Sequence, residues 1–80
     1  MHRGPLIQIL QHMSGTDHEL DLLIAGENDP MEIRNVVDVE ELISPNGIKV
    51  TTKQNIIWLD ASHVSAAWQA RSDLDGGSRG

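Results

Sequence analysis

The residues best equipped for chemistry sit in one stretch, NIIWLDASHVSAAWQ, Asn55 to Gln69. It holds Asp60, Ser62, His63 and Ser65 between Trp58 and Trp68, the two tryptophans of a chain with no Phe and no Tyr. An Asp and a His three residues apart are the components of an acid–base pair. Catalysis would need them within hydrogen-bond reach, with a nucleophile and an oxyanion donor alongside. Sequence neighbours rarely converge that way, whereas Asp and Ser side chains readily bond nearby backbone N–H groups. The stretch therefore predicts a capped turn, and no catalytic residue is assigned.

Tryptophan anchors interfaces more often than most residues do. In a chain without other aromatics it also supplies the core volume that Phe and Tyr usually give. Trp58 is expected in the core, and Trp68 is divided between its own chain and a second subunit. The acidic residues Glu27, Asp29, Glu32, Asp38, Glu40 and Glu41 make a face that is either simply solvated or complementary to a basic partner. The residues put forward for partner binding are Trp68, Trp58, His63, Asp38, Glu40 and Glu41.

No metal site is expected. The chain has no Cys, and its histidines, His2, His12, His18 and His63, lack the close pairing of a zinc site. In GTDHELD, His18 lies near Asp17, Glu19 and Asp21, but adjacent strand residues point to opposite faces and cannot all reach one ion. No calcium loop with alternate carboxylates is present. No cofactor is expected either.

The chain has 80 residues, a single-domain length, and a net charge of −6. A domain this small buries only about 60% of its unfolded surface, so its core is thin. Without disulfides or metal, a homo-oligomer is the natural further support. The basic residues Arg3, Arg34, Lys49, Lys53, Arg71 and Arg79 are scattered. That disfavours nucleic-acid binding by a monomer, since phosphate affinity comes from clustered Lys and Arg. No apolar run approaches the roughly 20 residues of a membrane span, and no signal-peptide core is present. A cytoplasmic location is expected.

The positioning elements follow from pattern. Residues 1–4 read as a flexible start, 5–70 as one small β domain, and 71–80 as a disordered tail. PLIQILQH predicts an opening strand. ELDLLIAG alternates apolar and polar, the signature of a strand, and the two are expected to pair as a hairpin 6–12 with 19–25 through Gly15. GENDP breaks the chain. MEIRNVVDVEELI predicts a strand bent near Asn35, in preference to a helix capped there, because β-branched runs are poor helix formers. SPNG predicts a tight turn whose Asn46-Gly47 can take left-handed backbone. IKVTT, TKQN and IIWL then give a second hairpin. DASH predicts a 3₁₀ turn and VSAAW a last strand. The alternative is a C-terminal helix over 61–73, capped by Asp60.

The order IIWL, DASH, VSAAW resembles the closing corner of SH3-like and Sm-like small barrels, over about residues 55–69 and the meander order. The resemblance implies an all-β fold, a five- or six-strand SH3-like or Sm-like barrel meander. The alternative class is α+β, an antiparallel sheet with the C-terminal helix. Sm-like proteins bind RNA as rings and SH3-like ones bind peptides. This chain lacks the aromatic cluster for the second and the Gly-rich and basic elements for the first. The expected function is a non-enzymatic intracellular interaction module that self-associates, of a size and acidity suited to a bacterial or phage accessory protein. The alternatives are an acidic inhibitor or mimic of a basic-surface ligand, and a ring-type RNA or DNA binder using Lys49 and Lys53.

Overall fold

Leu6, Ile7, Leu10 and Met13 follow one another at spacings of one, three and three, which aligns them along one helical face. A computed structural model, describing residues 1–71, shows helix α1 at Arg3–Met13 with those four residues buried. The expected opening strand and its 6–12 hairpin are overturned. Pro5 falls within the first helical turn, where backbone N–H groups have no intrahelical partner, so its missing donor is not needed. Gly15 leaves the helix at φ 81°, and its N–H donates to Val36 O at 3.0 Å.

Among the described residues six strands follow: β1 (Glu19–Ile24), β2 (Met31–Arg34), β3 (Val36–Glu41), β4 (Gly47–Thr52), β5 (Ile56–Asp60) and β6 (Val64–Trp68), with a 3₁₀ turn at Ala61–His63 between the last two. They form two antiparallel three-stranded sheets, ordered β2-β1-β6 and β3-β4-β5. β2 and β3 are one strand broken at Asn35, which takes φ 61°. Asn tolerates that left-handed backbone better than most residues. The bend sends the chain from one sheet into the other, and a register shift between Val36 and Asp38 adds to it. No helix starts at Asn35.

SPNG closes the β3–β4 hairpin, with Gly47 N–H donating to Ser44 O at 3.1 Å. Neither Asn46 nor Gly47 takes positive φ, so the turn is of the type I kind, with Pro45 at its first central position. At the next hairpin Thr52 Oγ1 accepts from the N–H groups of Gln54 and Asn55 and donates to Asn55 Oδ1 at 2.8 Å. The helix alternative over 61–73 is overturned across 61–68, which form the 3₁₀ turn and β6. Of the tail expected at 71–80, residues 72–80 lie outside the described ones.

The core lies where α1 packs over β3, β4 and the 3₁₀ turn. Leu6 and Leu10 join Leu20 and Leu22 of β1, Ile33 of β2, Ile48 and Val50 of β4 and Val64 of β6 in one buried cluster. Arg3 fixes the helix to the SPNG hairpin. Its Nη1 donates to Ser44 O at 2.7 Å and Leu42 O at 3.2 Å, and its Nε lies 3.9 Å from a Glu41 carboxylate oxygen. The fold is β-rich with one N-terminal helix, and no ladder among the described residues joins the two sheets into a closed barrel. No helix of the described residues is long and apolar enough to cross a membrane.

Candidate functional site

Each sheet has two edge strands, β2 and β6 in one and β3 and β5 in the other, and the two tryptophans lie on β5 and β6. The 3₁₀ turn makes the edges of β5 and β6 successive in the chain. An unpaired edge presents free N–H and C=O groups, a template for another strand. The side chains around the edges are therefore the first candidates for a site.

Strand parity decides what those edges show. In β5, Ile57 and Leu59 turn toward the core, opposite Val50 and Ile48 of β4. Ile56, Trp58 and Asp60 then face outward. Trp58 is 63% exposed, and its expected place in the core is overturned. IIWL is apolar in both phases, so the sequence could not set which pair faces in. In β6, Val64 and Ala67 pair with Ile24 and Leu22 on the inner side, and Trp68 faces out, 45% exposed.

Register then builds two matching rows. Across the outer face of β3-β4-β5 stand Glu40, Lys49 and Trp58. Across β2-β1-β6 stand Glu32, Asp21 and Trp68. Each row ends on a Trp at the free edge, backed by a cation in one sheet and a carboxylate in the other. Cross-strand neighbours on one face lie about 5 Å apart, close enough to interact.

The other candidates are distributed differently. Asp60 Oδ1 accepts from Ser62 N at 2.9 Å and from Ser62 Oγ at 2.6 Å. These bonds hold its carboxyl below the ordinary carboxylate range, with a smaller contribution from the charge of His63. Asp60 thus caps the 3₁₀ turn. His63 is exposed, and its backbone carbonyl accepts from Ala25 N at 2.8 Å. No hydrogen bond joins Asp60 and His63 among the described residues. Asp38, Glu40 and Glu41 are exposed along β3; Glu40 stands opposite Lys49, and Glu41 lies 3.9 Å from Arg3 Nε.

One cluster escaped the sequence. Carboxylate oxygens of Glu19, Asp21 and Glu32 lie within 4.8 Å of one another. Glu19 and Asp21 share the outer face of β1, and the β1–β2 register puts Glu32 opposite Asp21. Arg34 bonds Glu19. Desolvation, a hydrogen bond that the protonated carboxyl donates to Glu19, and repulsion from Glu19 and Glu32 raise the Asp21 carboxyl above its ordinary value, against a lowering by Arg34. The oxygen set suits a hard cation in chemistry. Its signal would have been the cross-strand pairing of two acidic positions, which needs the hairpin register. A recess of about 240 Å³ opens nearby, between Asn35, Gln54 and Asn55, with Ile33 and Ile57 among its walls.

Among known proteins, no family model, curated protein or solved structure matches this chain.

Proposed function

We propose that the chain is a non-enzymatic interaction module that self-associates through the edges of β5 and β6. The observation that carries the reading is the exposure of Trp58 and Trp68, which lie on the edge strands β5 and β6. Laid antiparallel, β5 of one copy and β6 of another would extend both sheets with main-chain hydrogen bonds. Keeping the inward and outward alternation in step puts the two tryptophans on one outer face. Lys49 then stands behind the first and Asp21 behind the second, each one strand in from the meeting edge. The contact is head-to-tail, and such contacts close into rings when the rotation allows.

Within the same proposal the two sheets are halves of an SH3-like or Sm-like barrel, open between β5 and β6. The orders β6-β1-β2 and β3-β4-β5, joined in the chain by the bend at Asn35, support this. The acidic-mimic reading has its own support in the exposed Asp38 and Glu40 of β3. Ring-type nucleic-acid binding has less, since Lys49 stands beside Glu40.

Light scattering across micromolar to near-millimolar concentrations tests the reading. Mass rising with concentration is the expected result. A strict monomer throughout refutes it, and tight capture of a polycationic protein by that monomer would favour the acidic mimic.

A further inference from the structure

The proposed assembly leaves the SPNG turn without a role, and that turn carries a chemistry of its own. Of the four asparagines, Asn28, Asn35, Asn46 and Asn55, only Asn46 precedes a glycine. A following glycine offers the least steric hindrance to attack by its own amide nitrogen on the Asn carboxamide. The nitrogen of Gly47 would lose its proton to water and bond to Asn46 Cγ. The Cγ–Nδ2 bond breaks and ammonia leaves. Water then opens the cyclic imide at either carbonyl, giving aspartate or an isoaspartyl link. No electrons change hands, and water is the only co-reactant.

The folded turn opposes this step at the Gly47 nitrogen and along the backbone. The Gly47 N–H is committed to Ser44 O at 3.1 Å. The carbonyl of Asn46 is fixed by Ala61 N at 2.8 Å, and that of Gly47 by Leu42 N at 3.1 Å. Arg3 Nη1 reaches Ser44 O at 2.7 Å and Gly47 O at 3.4 Å. Gly47 is buried, and even one added carbon would collide with Ser44 Oγ and lie 3.0 Å from Leu42 Cβ. The imide takes the Gly47 nitrogen and its proton out of the bond to Ser44 O, and the extra backbone methylene of an isoaspartyl link shifts Gly47 relative to Ser44 and Leu42.

We infer that Asn46–Gly47 is a deamidation site gated by opening of this corner, whose isoaspartyl product cannot re-form it. The reaction proceeds only from the opened corner, at a rate set by how often it opens. Once formed, the longer backbone displaces the carbonyls that hold Arg3, Leu42 N and Ala61 N. That loosens α1 from the sheet and frees the 3₁₀ turn that sets β5 against β6. The site acts as an irreversible record of corner opening.

The test follows deamidation of the full chain at physiological pH and temperature. Intact mass reads the replacement of NH₂ by OH, and peptide mapping places it. The native rate should be at least about tenfold below the rate in urea, the factor that even a modest opening free energy gives. Equal rates in the two conditions overturn the gating. Arg3→Gln should raise the native rate several-fold and leave the urea rate unchanged; an unchanged native rate overturns the part assigned to the corner. Purified isoaspartyl chain should melt below the Asn46→Asp variant, which carries the same charge without the added methylene. Equal melting temperatures would overturn the claim that the product cannot re-form the turn.

Discussion

Replacing Trp58 with Thr keeps a strand-forming residue and removes the largest outward side chain of β5. At 63% exposure, and taking about 250 Å² for a whole Trp, roughly 150 Å² is left for a partner to cover. At about 25 cal/mol per Å² that area represents about 4 kcal/mol before the costs of association. Lost translational freedom and side-chain ordering consume part of it. The expected loss is therefore about 2 kcal/mol per interface, a roughly thirtyfold rise in Kd. The chain itself covers only the remainder of the side chain, about 90 Å², which holds the loss of monomer stability to about 2 kcal/mol or less. Sedimentation velocity over a concentration series reads the first number, and urea unfolding at a concentration below association reads the second. A Kd unchanged within error would refute the placement of Trp58 at the interface. A stability loss of about 4 kcal/mol, the usual result of emptying a core Trp site, would refute its outward orientation.

Arg3→Met keeps the aliphatic stem and removes the donors to Leu42 O, Ser44 O and Gly47 O. Because these are hydrogen bonds from a charged group, urea unfolding should show a loss of about 2 kcal/mol; coincident curves would mean that the guanidinium contributes nothing. Asp21→Asn removes a carboxylate placed opposite Glu32 and should stabilise the chain near neutral pH by about 0.5 kcal/mol. The same variant should change the acid response. Asp21 is raised in the folded state, so folding binds its proton more tightly. Its contribution to stability grows as pH falls through the raised value and is complete below the unfolded one. Asp60 is lowered and acts oppositely: its contribution is present above the ordinary carboxylate value and lost as pH falls through the lowered one. Thermal melts from neutral to acid pH should show Asp21→Asn losing more stability on acidification than the parent chain; identical responses would show that the carboxylates do not feel one another.

Features that depend on a few adjacent residues were legible before any tertiary contact was known. SPNG specified its turn because Pro45 presets the backbone angle at the first central position. ELDLLI specified β1 through its alternation, and Asn35 the break in the strand through its tolerance of left-handed backbone. DASH specified a capped 3₁₀ turn because Asp60 and Ser62 are close enough to bond locally. Tertiary structure decided the rest. PLIQILQH fits either period, and it became a helix because its apolar face covers β3, β4 and the 3₁₀ turn, a surface the local sequence does not contain. The outward turn of Trp58 was decided by pairing with β4, since Ile57 and Leu59 had to meet Val50 and Ile48. The rows Glu40–Lys49–Trp58 and Glu32–Asp21–Trp68, and with them the acidic cluster, exist only through register between strands. Register is set by which side chains share the core, and a single chain read end to end does not carry that information.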